Sequence, residues 1–273
     1  MQGIDLTSPP LSITAAVRAG EFLDHYKTFW AGATLEESSL SADEIATRRS
    51  LVLRHVTASD ELLRARGFST EHIRAILFVG NGSANGHAYL DRDGAVVWFA
   101  IECFKSEMEA KIFTMHELIH ALHYAARPEF SFQTIEQKNT VWRQLITEGI
   151  ATYLTKRLWN LTDEEALWAD ALPPDQIQSW MTACRDSEKE LFEFVRENFE
   201  SSDPSIELFY SANPADIFSY RAGYYVGMKV IESIAAEYDL SDHALLNMPL
   251  EKLKRFIWEA FQHQASTFLR GDL

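Results

Sequence analysis

The chain has 273 residues, of which 47% are hydrophobic and 24% are charged, and both values are ordinary for a globular protein. Its longest strictly apolar run, Ala95 to Ile101, is far shorter than the roughly 20 residues of a membrane helix, so no membrane span is expected. The net charge of −15 disfavours contact with phosphate backbones, and no nucleic-acid partner is expected. Two cysteines make no disulfide framework and the first residues resemble no secretory signal, which together predict a cytoplasmic protein.

The first part of the chain has a helical pattern. Apolar residues recur at intervals of three to four from Ala15 to Trp30 and from Asp43 to Arg66, and Ser41 is a candidate N-cap for the second helix. A short β-branched strand then follows at Ile73 to Val79. These patterns predict two helices that lead into a sheet.

A hairpin follows, because His87 to Leu90 and Ala95 to Glu102 flank an Asp–Gly turn. From Lys105 onward the pattern is almost wholly helical, interrupted mainly at prolines. The order predicts an α+β fold that is mainly helical, with a small antiparallel sheet. No linker rich in Gly, Ser or Pro divides the chain, so we expect one domain, 1–273, with a helical part at about 1–70, a core at about 71–160 and a second helical part at about 161–273.

One motif carries chemistry, the pentapeptide His-Glu-Leu-Ile-His at 116–120. Two histidines four residues apart on a helix lie one turn apart, so His116 and His120 can both reach one Zn²⁺ at about 2.0–2.1 Å. Glu117 follows the first histidine and can accept a proton from a water bound to that metal. The pattern predicts a zinc-binding helix that runs from Lys105 to Ala126.

A catalytic zinc takes three protein ligands and leaves a fourth position for water. Glu148 is the candidate for the third ligand, because it lies in a second helical pattern, Thr140 to Trp159, among apolar residues. Gly149 beside it removes a side chain where another helix could approach. His123 lies one turn beyond His120, but three ligands from one straight helix surround an ion poorly, so we expect it either to contact a metal ligand or to serve a structural role.

These residues resemble a known family. The His-Glu-x-x-His motif followed by Glu-Gly-x-Ala at 148–151 is similar to the gluzincins, the zinc metallopeptidases with a glutamate as third ligand, and to the small bacterial predicted zinc-dependent proteases among them. The resemblance covers about Ile73 to Glu237. It implies a zincin-like fold with the sheet beside the metal helix, one Zn²⁺ per chain held by His116, His120 and Glu148, and Glu117 as the general base.

The family pattern has one departure and one further element here. Thermolysin-like members place a carboxylate one turn after the ligand glutamate, where this chain has Thr152. The segment Tyr220 to Gly227 opens a helix and resembles the arginine and tyrosine pair of clostridial-neurotoxin-type gluzincins. Tyr224 is our first candidate to stabilise the oxyanion, with Arg221 or Tyr220 as alternatives, although these side chains could also serve packing alone.

Substrate contacts are predicted from the same resemblance. In this clan an edge strand beside the metal helix pairs with the substrate backbone, and Ala95 to Ile101 is the candidate. The remaining histidines, among them His55, His87 and His243, are expected at surface or core positions. The sequence thus predicts a peptide or protein substrate and leaves the cleavage specificity and the oligomeric state open.

Two other hypotheses compete with a zinc peptidase. The chain could be a metal-binding regulatory or binding protein of zincin fold without general peptidase activity, although the acidic charge disfavours a DNA-binding regulator. It could also be a helical interaction module in which the pentapeptide is accidental. Stoichiometric zinc after purification separates the last hypothesis from the first two.

Overall fold

The computed structural model describes residues 1–7, 13–31, 40–80 and 82–270. These residues form two compact units, Met1–Ala125 and Ala126–Leu273, and the single domain expected from the sequence stays a prediction. In chain order, the elements from the start of the chain to the boundary are β1 (Gln2–Asp5), α1 (Ile13–Tyr26), α2 (Ala42–Ala65), β2 (Arg74–Phe78), β3 (Gly86–Asp91), β4 (Gly94–Ala100) and α3 (Glu107–Ala126). The elements of the second unit are α4 (Ile135–Asn139), α5 (Val141–Trp159), α6 (Asp163–Trp168), α7 (Pro174–Asp186), α8 (Glu188–Glu197), α9 (Ala222–Glu237), α10 (Asp242–Leu246) and α11 (Leu250–Arg270).

The mainly helical α+β class predicted from the sequence is confirmed, and the predicted hairpin is β3 and β4, joined by a two-residue turn. The sheet is mixed, however, and not wholly antiparallel as expected. Its strand order is β1-β2-β4-β3, with β3 antiparallel to β4 but β1 and β2, and β2 and β4, parallel. The hairpin places β4 between β2 and β3, and two reversals along the chain make β4 run in the direction of β2.

This strand order contradicts the expectation that Ala95 to Ile101 is an edge strand that pairs with the substrate backbone. The segment Ala95 to Ile101 contains most of β4, whose backbone already pairs with β2 on one side and with β3 on the other. A central strand has no free backbone groups for a third chain. The sheet edge next to β4 is β3, which begins at Gly86.

The two faces of the sheet pack against different helices. On one face, Phe22 and Tyr26 of α1 contact Phe78 and Trp98 in a buried aromatic cluster. Side chains alternate between the faces of a strand, so the residues of the opposite face point toward α3, where Gly86 lies against Glu117. The sheet and α3 thus meet at Gly86 and Glu117.

Local sequence signals define the helices of this unit. Ser41 caps α2 as predicted, and it forms a capping box in which its side chain and that of Glu44 each accept the other's backbone N–H. The first helix, predicted from Ala15 to Trp30, is α-helical only as far as Tyr26. A π-helical turn at Lys27–Ala31 follows it directly. The hydroxyls of Ser59 on α2 and Thr114 on α3 approach within 3.4 Å, which ties α3 to α2.

The second unit is built around α5 and α9. These helices approach so closely that the backbone of Gly149 touches the backbone of Gly227. An ion-pair network joins the same helices to α6: Lys156 and Lys229 both contact Asp163 and Glu232. None of the helices in the described ranges is both long and apolar enough to cross a membrane.

Candidate functional site

The pentapeptide lies in the middle of α3, a helix that is buried on nearly all sides. His116, Glu117 and His120 have relative exposures of only 8%, 7% and 3%. Apolar neighbours such as Met115 and Ile119 bury the helix around them. Because burial of ionisable groups is costly unless they are paired or bind a metal, this placement already suggests a function for the three side chains.

The two histidines face each other across one helical turn, as the spacing predicts. The Nε2 atoms of His116 and His120 are 3.1 Å apart, and the ring planes are nearly perpendicular. Two nitrogens bound to one tetrahedral zinc at about 2.0–2.1 Å would be roughly 3.4 Å apart. The observed separation therefore suits either a hydrogen bond between two neutral rings or two ligands of a single ion.

Glu117 packs against the sheet edge. A Cβ atom built on Gly86, the first residue of β3, would lie 2.7 Å from Cγ and 3.2 Å from Cδ of Glu117. The side chain of Glu117 thus occupies the space that any other residue at position 86 would fill. This contact brings the candidate general base next to the outer strand of the sheet.

Glu148 lies in the middle of α5, as predicted, and is half-buried between Thr147 and Gly149. The close helix approach expected at Gly149 is confirmed, and the approaching residue is Gly227 of α9. Burial raises the pKa of Tyr210, and the negative charge of Glu148 raises it further, against a hydrogen bond from Gln144 that lowers it. The carboxylate of Glu148 is therefore close enough to Tyr210 to act on its ionisation.

His116, His120 and Glu148 make up a group of side chains that could hold a metal ion. Two imidazoles and one carboxylate are the donor set of several hydrolytic zinc sites, and they leave one tetrahedral position for water. The donor types and the 3.1 Å approach of the two histidine nitrogens both fit zinc.

The residues expected near an oxyanion all lie around the beginning of α9. The Arg221 guanidinium lies 4.6 Å from the ring centres of both Trp168 and Tyr224, and it donates a hydrogen bond to the carbonyl of Leu167. Tyr220 packs against Trp168, and its carbonyl accepts a hydrogen bond from the indole of Trp180. Arg221 thus has a packing role, and its backbone adopts the left-handed conformation with φ of 61°.

Three sequence expectations concern residues close to these motifs. His123 is fully buried, and its ring stacks on that of Tyr124. The side chain of Thr152, one turn after Glu148, is also buried. The buried imidazole of His87 stacks with that of His25 at 5.6 Å in the layer between α1 and the sheet. His87 is thus a core residue, one of the two settings expected for it.

Two residues of this region were missed by sequence reasoning, Gly86 and Glu102. The strand was predicted to begin at His87, whereas it begins at Gly86, which contacts Glu117. Glu102 lies in a short 3₁₀ segment after β4, and its carboxylate accepts hydrogen bonds from the backbone N–H groups of Gly80 and Gly82. The density of glycines at 80–86 was the available signal, since glycine often marks a close approach.

Comparison with known proteins identifies a family. Residues 76–255, about two thirds of the chain, match the family described as predicted Zn-dependent protease (DUF2268). The matched range includes the His-Glu-x-x-His motif, Glu148 and α9. No curated protein and no solved structure matches the chain. The chain therefore belongs to the DUF2268 family of predicted zinc-dependent proteases.

Proposed function

We propose that the protein is a zinc-dependent peptidase of the gluzincin type, in which His116, His120 and Glu148 hold one Zn²⁺ per chain. The observation that carries the proposal is the 3.1 Å approach of two buried histidine nitrogens, with Glu117 beside them on the same helix. The donor set and the membership of a family named for zinc dependence support it as well. A structural pair of histidines alone would not require the buried glutamate between them.

Zinc bound at these residues would polarise the scissile carbonyl and lower the pKa of a bound water to about 7. Glu117 acts as the general base: its carboxylate accepts a proton as the water oxygen attacks the carbonyl carbon. The same carboxyl then delivers this proton to the amide nitrogen, so that the carbon–nitrogen bond breaks and a neutral amine leaves. The burial of Glu117 keeps its carboxylate among the reacting groups and away from bulk water.

Tyr224 is assigned to the oxyanion, with Arg221 as the residue that orients its ring. A phenol hydroxyl can donate a hydrogen bond to the negative oxygen of a tetrahedral intermediate. The guanidinium of Arg221, 4.6 Å from the ring centre of Tyr224, fixes the ring from one side. Phe209 packs against the same ring edge-on at 5.9 Å.

The substrate is a peptide or protein, and the acidic chain has no nucleic-acid or membrane partner in this proposal. At a net charge of −15, a basic surface patch that binds phosphate groups is not expected. A cytoplasmic location is part of the proposal as well.

Metal analysis of the untagged protein tests the ligand set. We expect one zinc per chain in the wild type and its loss in His116→Ala and Glu148→Ala, while the matched controls His243→Ala and Glu136→Ala keep it, since both lie at exposed positions. Circular dichroism must show that the variants remain folded. Zinc that survives Glu148→Ala would contradict the third ligand, and a wild type without zinc would contradict the proposal.

Activity is the second measurement. The zinc-loaded wild type is incubated with a peptide library, and cleavage products are identified by mass spectrometry beside Glu117→Gln. Cleavage by the wild type alone supports the proposal. Stoichiometric zinc without any cleavage would instead favour the metal-binding regulatory protein.

A further inference from the structure

Gly86, the first residue of the outer strand β3, lies directly against the side chain of Glu117. Its backbone is ordinary: it pairs with Phe99 of β4, and it is not among the glycines with positive φ. Alanine could therefore adopt this conformation. An added Cβ would lie 2.7 Å from Cγ of Glu117 and 3.0 Å from the carbonyl oxygen of Trp98, so the closest contact is with Glu117.

Glu117 has little freedom to avoid such a side chain. The atoms that would be contacted are Cγ and Cδ, in the middle and at the branching point of the side chain, and the residue is 7% exposed. In a close-packed interior a displacement of the Cγ atom must also displace the carboxylate. A methyl group at position 86 would thus act on the very group that handles the proton.

The loop before Gly86 is fixed from several sides. Both oxygens of Glu102 accept backbone hydrogen bonds, from Gly80 and from Gly82, each at 2.9 Å. The carbonyl of Asn85 accepts a hydrogen bond from the N–H of Ala100 at 2.9 Å. The carbonyl of Glu102 itself accepts a hydrogen bond from Arg48 of α2. Gly86 itself is therefore held by the sheet, and the Glu102 carboxylate anchors the backbone before it at Gly80 and Gly82.

We infer that Gly86 is a positioning residue for the general base: the missing side chain at the start of β3 forms a slot that sets the carboxylate of Glu117, and Glu102 holds this slot in place. The inference rests on the proposed function, in which Glu117 moves the proton. Gly86 touches neither the metal ligands' nitrogens nor the substrate in this role, and it acts only through Glu117.

A double-mutant cycle on stability tests the contact without substrate. Gly86→Ala is made in the full-length wild type and in Glu117→Ala, and unfolding is measured for the protein as purified and after metal removal. We expect a clear loss of stability in the wild-type background and a smaller loss in Glu117→Ala, because the closest contact is then removed and the 3.0 Å contact with the Trp98 carbonyl oxygen is the nearest that remains. Equal losses in both backgrounds would overturn the inference.

Gly20→Ala is the matched control. A Cβ at this exposed helical glycine of α1 meets nothing within 4 Å. The substitution should therefore cause no loss of stability in either background, which shows that a coupling seen for Gly86→Ala belongs to its contact with Glu117.

Kinetics test the positioning role. We expect Gly86→Ala to keep its zinc and its KM, but to lose about 10- to 100-fold in kcat, as for a catalytic group displaced by up to about 1 Å. Glu102→Gln keeps only one carbonyl oxygen for the two loop N–H groups, so a smaller loss of kcat in the same direction is expected. A stability coupling with unchanged kcat in Gly86→Ala would overturn the role.

The two failures are distinguishable. If the wild type binds zinc but cleaves no peptide, the proposed function fails and the inference fails with it, while the stability cycle still reports the contact. If the wild type cleaves peptides and the cycle shows no coupling, the inference alone fails.

Discussion

Gly149 and Gly227 form a backbone contact between α5 and α9: a Cβ on Gly149 would lie 2.6 Å from the carbonyl oxygen of Gly227. The contact is reciprocal, because a Cβ on Gly227 would lie 2.8 Å from the carbonyl oxygen of Leu145 and 3.1 Å from Cα of Gly149. Neither helix can yield by turning a side chain, since the atoms on both sides belong to the backbone. The position of Glu148, the residue before Gly149, is thus tied to α9.

Gly149→Ala should therefore separate α5 from α9 and move the proposed zinc ligand. A glycine replaced by alanine in an open helix gains about 0.5–1 kcal/mol, but overpacking a close contact costs about 1–3 kcal/mol, so we expect net destabilisation. Zinc affinity should fall as well, and competition with a chelator measures it. Gly227→Ala, which lies far from Glu148 in sequence, should show the same two effects.

The control for this pair is again Gly20→Ala. This helical glycine has open space around it, so its replacement by alanine should increase stability. A neutral effect of Gly149→Ala on both stability and zinc affinity would contradict the role of the helix contact in holding Glu148.

Glu117→Gln separates the metal site from proton transfer. Glutamine has nearly the same shape, so it should preserve the packing against Gly86 and leave the zinc content unchanged. Because the amide cannot accept the proton, kcat/KM should fall by about 10²–10⁴-fold. Zinc content and steady-state kinetics on one purified sample measure both effects, and activity close to that of the wild type would refute the assignment of the base.

Tyr224→Phe tests the oxyanion donor against a packing role. The ring contacts with Arg221 and Phe209 persist in phenylalanine, so the packing of the ring is retained. Loss of one oxyanion donor lowers kcat by about 10²–10³-fold, with a small effect on KM. Full activity of Tyr224→Phe would leave packing as the role of this tyrosine.

The neighbouring Tyr225 provides the matched control, because its hydroxyl donates a hydrogen bond to Glu188 at 3.0 Å. Tyr225→Phe should lose about 1 kcal/mol of stability and keep its kcat. The two substitutions remove the same atom from adjacent residues of one helix, and only Tyr224→Phe is expected to lower kcat.

The sequence predicted those parts of the molecule that depend on near neighbours in the chain. The four-residue spacing of His116 and His120 determines their approach on any α-helix, and the N-cap at Ser41 depends on the next three residues alone. The Asp–Gly turn likewise predicted the β3–β4 hairpin, because its pairing is set by the turn itself.

Strand order is a property of distant segments, and there the sequence was insufficient. Nothing in the apolar strand β4 distinguishes a central strand from an edge strand, so its free backbone was predicted wrongly. The strand β1, only four residues long with a glycine inside, carries no periodic signal at all and exists because it pairs with β2. The contact of Gly86 with Glu117 depends on this same order and was likewise missed.

Acid sensitivity is expected from the partly buried ion pairs of the second unit. Burial alone would raise the pKa of Asp163, but the hydrogen bonds and charges of Lys156 and Lys229 outweigh it, and the pKa is held below the ordinary value of 3.8. A carboxyl with a lowered pKa in the folded chain stabilises the fold above its unfolded pKa. This stabilisation is lost as the pH falls through the lowered folded value.

Asp163→Asn should therefore lower the stability at neutral pH and make it less dependent on pH below about 4, relative to the wild type. At alkaline pH the dependence of stability on pH has the opposite sign, because Lys156 contributes to stability in its protonated form. Burial lowers the pKa of Lys156, but its bonds to Asp163 and Glu232 raise it overall, so its contribution is full below 10.5 and is lost as the pH rises through the raised value. Asp175→Asn on the exposed side of α7 is the control for the loss of one charge. Denaturant unfolding between pH 3 and pH 7, at about ten pH values, measures the difference in slope. Parallel stability curves for the wild type and Asp163→Asn would show that the network of Asp163, Lys156 and Lys229 does not couple folding to pH.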